Sequence, residues 1–376
     1  MKERIKVLFA LPSFAAGGTE HQLLKQLRVY DFERFDVVLL TLFEFPGRDY
    51  LYEEIPKDIR VIRCRFSSYW NLAAWKRLLS TLYSFRPRVV VSSAFSANSI
   101  FRILKVFFGY RVISREHNTY VEKSVFQRCI DHILSYISFT IVAISKTVAE
   151  FASAQAHIPI KKFTVILNGV ETEEALEYRQ TKKHLAQHIR DELQIPSDKK
   201  IILNVGRLKP QKDQKTLIDA FVLFHTNNPE YVLCIVGDGS ERINLEKQIR
   251  EENAESYIRL VGHRRDVYAF YIAADFFVFT SIHEGGPNAV LEALSFGVPT
   301  LSTNIAGVDE YMKDGVSGYI LSHVPSEIAE RLQYAVTLPP QKTQELISEG
   351  LKVVQGFSIT NVTEQYMNLI EKAALS

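Results

Sequence analysis

The sequence predicts an α/β protein made of two doubly wound domains that face each other across a cleft. Short apolar, β-prone runs alternate with helical patterns along all 376 residues. The alternation comes in two blocks, with a polar helical stretch, 171–198, between them. The length is generous for one core and comfortable for two. A hydrophobic share of 47% is that of a packed chain and excludes disorder.

In the first block, Ile5–Leu11 reads as a buried strand. The segment Val7 to Ala10 is too short before Pro12 for a signal peptide. Thr19 and Gln22 then have capping-box spacing ahead of Leu23, Leu24 and Leu27. The preceding Gly17 and Gly18 allow either a tight turn or the close approach of a phosphate or sugar. Strands are expected at 35–42 and 59–64, a helix at 72–85 and a strand at 89–93. Residues 99–108 mix Phe101, Val106 and Phe107 with Arg102 and Lys105. That pattern suits a membrane-docking helix or a core helix whose basic stems reach outward. A strand at 111–114 leads into Arg115-Glu-His-Asn118. Ligands of open α/β sheets bind beyond such strand ends, which makes His117 a site candidate; the alternative is a hydrogen-bonded structural histidine. A helix at 126–139, a strand at 140–144, a helix capped by Ser145 and a strand at 163–167 complete a first domain, 1–170.

Residues 171–198 read as the connection between domains. The second domain, 199–356, opens with a strand and Gly206-Arg-Leu-Lys-Pro-Gln-Lys-Asp213, where Arg207 and Lys212 suit a diphosphate. Further strands are expected at 231–236, 258–261, 276–279, 298–302 and 319–321, each followed by a helical pattern or turn. The residues 357–376 form a last helix.

The segment from Phe276 to Thr300 carries the strongest signal. Phe276–Phe279 is a strand; Gly285, Gly286 and Pro287 break the pattern; a helix runs from Asn288 and ends at Gly297. Glu284 lies in the loop and Glu292 on the helix, on one face with Asn288 and Ser295. Glycines and a helix start offer N–H groups to phosphate, and the two carboxylates offer acceptors to hydroxyls. A sugar nucleotide fits that combination.

Charge is divided unevenly. Residues 1–190 hold 28 Lys and Arg against 18 Asp and Glu, net +10; residues 191–376 hold 17 against 25, net −8. A basic half attracts anionic lipid, a diphosphate-linked acceptor or nucleic acid. Three scattered cysteines, Cys64, Cys129 and Cys234, show neither metal nor disulfide spacing and suit a reducing compartment. No apolar stretch reaches the roughly 18–20 residues that span a bilayer.

Glu284-Gly-Gly-Pro-Asn-Ala-Val-Leu-Glu292 resembles the paired-glutamate motif of retaining glycosyltransferase family 4, which has the GT-B fold of two Rossmann-like domains. Gly17-Gly-Thr-Glu20, Glu116-His-Asn118, Leu167-Asn-Gly-Val170, Val205 to Asp213 and Val236-Gly-Asp-Gly239 match the family in order. The resemblance implies a hexosyltransferase that uses a nucleotide sugar, UDP-linked, with no cofactor and no metal; no Asp-x-Asp motif lies near the site. It implies a basic acceptor-binding N-terminal domain, a donor-binding C-terminal domain and a last helix crossing back to the first domain. Arg207 and Lys212 would neutralise the diphosphate, with Gly18 bringing N–H groups as the cleft closes. Glu292 would accept from the ribose. Glu284, with Gly285, Gly286, Pro287 and Asn288, would hold the sugar, and His117 would stand near the anomeric carbon. His263 or Arg264 would lie near the base. Retention implies that the leaving phosphate deprotonates the acceptor on one face. The implied setting is surface polysaccharide assembly, lipopolysaccharide or capsule, on a glycan or lipid-linked acceptor. The implied location is the bacterial cytoplasm or the inner face of its membrane, with no nucleic acid partner.

Four other readings share parts of the pattern. A nicotinamide oxidoreductase lacks its Gly-x-Gly-x-x-Gly turn here, although Glu44 ends the second strand. A glycoside hydrolase uses its carboxylates as acid and nucleophile. A sugar phosphorylase or nucleotide-sugar epimerase shares the fold. A non-catalytic sugar-nucleotide scaffold shares the binding groups.

Overall fold

The computed structural model describes residues 3–15, 17–44, 50–117 and 123–376. Asn118 of the Glu-His-Asn motif lies outside them. The chain divides into two compact units, 1–169 with 359–376, and 170–358.

The first unit runs β1 (Ile5–Leu11), α1 (Gly18–Arg28), β2 (Phe35–Thr41), β3 (Arg60–Arg63), α2 (Leu72–Phe85), β4 (Val89–Ser93), α3 (Ala94–Phe108), β5 (Arg111–Glu116), α4 (Val125–Ser135), β6 (Thr140–Ala143), α5 (Lys146–Ala156) and β7 (Phe163–Val165). Its sheet is parallel, in the order β3-β2-β1-β4-β5-β6-β7. Strand periodicity sends Val7, Phe9 and Leu11 to one core and Leu8 and Ala10 to the other. A sheet covered on both faces needs such continuous apolar runs.

The second unit holds α6 (Thr172–Thr181), α7 (His184–Glu192), β8 (Lys200–Val205), α8 (Gln214–His225), β9 (Tyr231–Val236), α9 (Arg242–Glu251), β10 (Ile258–Gly262), α10 (Val267–Ala273), β11 (Phe276–Phe279), α11 (Asn288–Ser295), β12 (Thr300–Thr303), α12 (Val308–Tyr311), β13 (Tyr319–Leu321), α13 (Pro325–Val336) and α14 (Pro340–Gln355). The sheet is again parallel, β10-β9-β8-β11-β12-β13. Among the described residues no helix is long and apolar enough to cross a membrane.

Several expectations give way to tertiary contacts. Residues 171–198 are helical but form part of the second unit, because Ala175, Ile189 and Ile195 enter its core. Thr19 does not cap α1. Gly17 is the cap residue, and the Gln22 side chain bonds both backbone groups of Gly169, 2.8 Å to the carbonyl and 3.1 Å from the N–H. The final helix, α15 (Ile359–Leu375), lays Val362, Tyr366, Met367 and Ile370 into the core of the first unit. Arg34 pairs with its Glu364 and Glu371.

α3 packs Ala97 and Phe101 into the core of the first unit, but part of α3 and of α4 inverts the usual sidedness. Arg102, expected to reach outward, is buried against Asp131 of α4 at 2.9 Å. Val106 and Phe107 face solvent, as do Val125, Phe126 and Ile133 of α4.

Candidate active site

In a doubly wound sheet the crevice opens where strand order reverses. In the second unit that point lies between β8 and β11, and the loops leaving these two strands carry most of the expected site residues. Their backbones are laced together. Ile282 N donates to the Gln211 carbonyl at 2.8 Å, Gln211 Nε2 to the His283 carbonyl at 2.7 Å, and Thr280 Oγ1 to the Asp213 carbonyl at 3.1 Å. Thr303 Oγ1 holds the Ser281 carbonyl at 2.6 Å. Asp213, in the left-handed region, caps α8 by accepting from Thr216 N.

This lacing brings Lys212 onto Glu284. Lys212 Nζ meets Glu284 Oε1 at 2.5 Å, with only 15% and 13% of the two side chains exposed. Ser281 Oγ stands 2.7 Å from the same oxygen, and the ammonium lies 4.9 Å from the Phe279 ring centroid. A lysine held by a carboxylate and an aromatic face is fixed in position rather than waving in solvent. Arg207 stands exposed at the end of β8.

The β8 loop is shaped by close backbone packing against β9. Gly237 has φ of +144°, and a Cβ there would fall 1.9 Å from the Gly206 carbonyl oxygen. No other residue fits that crossing. The Gly285–Pro287 turn is likewise overlaid by Gly307, at φ +87°, whose Cβ would approach Gly286 Cα to 3.3 Å.

Pro287 is the residue before α11 and Gly297 follows its end with φ +61°, the start and stop read from the sequence. Glu292, half-buried, lies 3.1 Å from Tyr271 Oη. Burial first, then Glu292, holds the Tyr271 phenol far above its ordinary pKa, so it stays a donor. Ser295 is not on an open face with Glu292. It is buried, its hydroxyl turned back to the Glu292 carbonyl at 2.7 Å. Arg264 forks onto Glu192 and Asp266, the latter at 2.7 Å; these partners satisfy it within the unit and weaken its case as a base reader.

The first unit has its own cavity, about 500 Å³, at the matching reversal between β1 and β4. Its lining includes Glu20, Ser93, Glu116, His117, Lys123 and Gln127. Gly18 opens α1 beyond the end of β1. His117 follows the last residue of β5, and its Nε2 is buried without a partner among the described residues. Burial first, then the Arg115 charge, holds its pKa well below the usual histidine value. It is a neutral imidazole at physiological pH.

Glu116 and Lys123 of the cavity lining belong to a charge network that the sequence does not announce. Lys123 bonds Asp131 at 2.6 Å and Glu116 at 3.2 Å. Asp131 also takes Arg102, which donates to Ser114 Oγ at 2.9 Å. Burial works against the Lys123 ammonium, yet Glu116 and Asp131 raise its pKa above the ordinary value. Two cations and two carboxylates thus balance next to His117.

The missed residues are Ser281, Gln211, Tyr271, Lys123 and Asp131. All but Ser281, which reaches Glu284 three residues on in its own loop, act through a contact across elements. Only Asp131 left a trace, as the lone carboxylate among the apolar residues of α4.

Comparison with known proteins agrees with this fold. The family described as Glycosyl transferases group 1 matches residues 186–353, and Glycosyltransferase Family 4 matches residues 16–174. The Escherichia coli UDP-Gal:alpha-D-GlcNAc-diphosphoundecaprenol alpha-1,3-galactosyltransferase is 23% identical over 94% of this chain and 93% of its own. The lipopolysaccharide core biosynthesis glycosyltransferase LpsE of Rhizobium meliloti is 30% identical over 48% of this chain; the match spans about half of that relative, 52%. The crystal structure of Anabaena Alr3699/HepE in complex with UDP-glucose superposes with a TM-score of 0.84 at 20% identity, over 98% of this chain and 100% of that one. Two parallel-sheet units, the laced loops between β8 and β11, and family matches to both halves converge on one conclusion: the chain is a GT-B glycosyltransferase and belongs to glycosyltransferase family 4, group 1.

Proposed function

We propose that the second unit binds a UDP-linked sugar at the β8–β11 crevice and that the chain transfers the hexose, with retention, to a glycan or lipid-linked acceptor in surface polysaccharide or lipopolysaccharide synthesis. The observation that carries this reading is the Lys212–Glu284–Ser281 cluster, a cation and a carboxylate fixed side by side at a strand-order reversal. A diphosphate needs the first and sugar hydroxyls need the second. Arg207 extends the positive ground toward solvent, and Glu292, braced by Tyr271, takes the ribose. The N–H groups of Gly286 and Asn288 assist Glu284.

Lys212 and Arg207 stabilise charge growing on the leaving diphosphate, which is the work a metal ion does elsewhere. The leaving phosphate takes the acceptor proton on the face it departs from. The first unit's cavity receives the acceptor, with neutral His117 as a hydrogen-bonding group in its lining. UDP as the carrier is supported by the UDP-glucose complex of the Anabaena neighbour and by the UDP-galactose named for the E. coli relative. The latter name also supports a lipid-diphosphate acceptor.

One observation favours peripheral docking on an anionic membrane. α3 and α4 expose Val106, Phe107, Val125, Phe126 and Ile133 while burying Arg102 and Asp131, on the half that carries net +10. Apolar side chains in a basic field suit an anionic lipid surface.

Thermal-shift screening with UDP-, GDP- and ADP-sugars identifies the donor. With that donor, Lys212→Ala and Glu284→Ala each lower transfer by about 100-fold or more while the fold is kept. Unchanged turnover in both removes the site assignment. The anomeric proton coupling of the product decides between retention and inversion, and turnover in chelator decides the role of metal.

A further inference from the structure

A second cavity of the first unit lies beside the one that holds His117. Its volume is about 450 Å³, within the span usual for sites of small organic molecules, roughly 300–1,000 Å³. One wall is a stripe of α4: Val125, Arg128, Cys129, His132 and Ile133. Their spacing of three and four puts them on one helix face. The other wall is the end of α5, Gln155 and Ala156, with His157 after it. His132 ties the walls together, its Nδ1 lying 3.1 Å from the Ala156 carbonyl oxygen and 3.0 Å from that of His157. A ring nitrogen facing two carbonyls carries the proton and donates.

The two cavities touch but differ in chemistry. Gln155 lines both. The first offers Thr19, Ser93, Glu116 and Gln127, which are hydroxyl, carboxylate and amide groups suited to a sugar. The second offers the aliphatic groups of Val125, Ile133 and Ala156, with half-buried Arg128 as its permanent charge. On α4 the first cavity reaches Gln127, so the Arg128 end of the stripe is the end beside it. Val125 and Ile133 are 67% and 66% exposed, and they belong to the apolar face of α3 and α4 that suits a membrane. A contiguous apolar surface left open in this way marks a place for a ligand. Polar lining, cation and apolar lining thus follow one another in the order in which a lipid-linked acceptor carries its sugar, its phosphate and its hydrocarbon chain. A free saccharide has a use for the first cavity only.

We propose that the groove between α4 and the end of α5 holds the start of the hydrocarbon chain of a lipid-phosphate acceptor, with Arg128 on the phosphate and the sugar in the neighbouring cavity. The inference rests on the lipid-linked acceptor of the proposed function and adds the place where the carrier is gripped. The chain enters from the apolar face at Val125 and Ile133, so the acceptor is taken up at the membrane surface.

Farnesyl diphosphate is the probe, a prenyl chain on a diphosphate with no sugar and no bilayer. Cys129 is the reporter, because it lines the groove and is exposed, while Cys64 and Cys234 are buried. In the whole chain without vesicles, farnesyl diphosphate abolishes the fast reaction of Cys129 with a thiol reagent. Inorganic pyrophosphate does not, and saturating UDP does not restore it. Cys129→Trp fills the groove from an exposed position, and Arg128→Ala removes the cation. Each raises the calorimetric Kd for farnesyl diphosphate about tenfold or more and melts as the wild type does. Absent protection, equal protection by pyrophosphate, reversal by UDP, or undiminished binding to Cys129→Trp overturns the assignment. So does protection by phosphatidylglycerol vesicles without protection by farnesyl diphosphate, since the groove then meets the bilayer alone. Thermal shift with UDP-sugars separates the two readings. A chain that answers to a UDP-sugar but not to farnesyl diphosphate loses this inference and keeps the donor site; the reverse result keeps the groove and removes the donor site.

Discussion

Asp131→Ala is the sharpest test of how the first unit holds its cavity. Asp131 and Arg102 are 2% and 1% exposed and 2.9 Å apart, and Asp131 also holds Lys123 at 2.6 Å. Truncating it leaves two cations without that carboxylate, one of them fully enclosed. Breaking a buried pair from one side costs about 3–5 kcal/mol. In a unit of this size each kcal/mol moves Tm by about 2–4 °C, so the expected fall is about 6–20 °C. The assay is built into the chain: Trp70 and Trp75 are its only tryptophans, and both lie in the first unit. Tryptophan fluorescence during heating therefore follows that unit alone. Arg102→Met with Asp131→Leu replaces the pair by apolar groups of similar size and recovers most of the loss. A fall of less than about 2 °C for Asp131→Ala refutes the reasoning, since it would mean the pair is not holding α3 to α4.

Two further outcomes follow from the first unit's chemistry. Burial pushes the Cys64 and Cys234 thiols up to about 12, while Cys129 is exposed on α4. In the native protein Cys129 alone reacts quickly with a thiol reagent, and anionic vesicles protect it in a way that added salt reverses; vesicle-independent labelling ends the docking reading. His117 is held neutral by burial and by Arg115, so below a pH of about 6.5 the unfolded chain takes up a proton that the folded one resists. Stability accordingly falls as pH drops through that value, and His117→Gln shows a shallower fall in Tm between about pH 7 and pH 5.

The sequence exposed what is local. Phe276–Phe279, Pro287 before α11 and Gly297 after it needed only apolar runs and backbone preferences. Both sheets were legible for the same reason, since strands buried on two faces write their pattern twice. What failed was decided by distant partners. Gln22 has the spacing of a cap, but Gly169, 147 residues away, takes its side chain. Arg102 sits among apolar residues as a snorkelling base would, yet Asp131 draws it inward. The polar run 171–198 hides three core residues because helical period, not composition, decides which side is buried.

On the proposed reading, the Lys212–Glu284 contact also bears on how transfer without a metal gains rate. A cation that merely gripped the diphosphate of the resting donor would tighten binding without lowering the barrier. Here the ammonium starts out shared with a carboxylate at 2.5 Å, so part of its field is spent before the donor arrives. As the bond to the sugar breaks, negative charge grows on the phosphate and the balance of attraction moves away from Glu284. The stabilisation is then greatest where charge is greatest, at the transition state. Glu284 in turn loses its cation as positive charge develops on the sugar it faces, which makes its own field most useful at that moment. On the proposed reading, one ion pair serves both ends of the breaking bond, and Ser281 stays on the carboxylate while the pair opens.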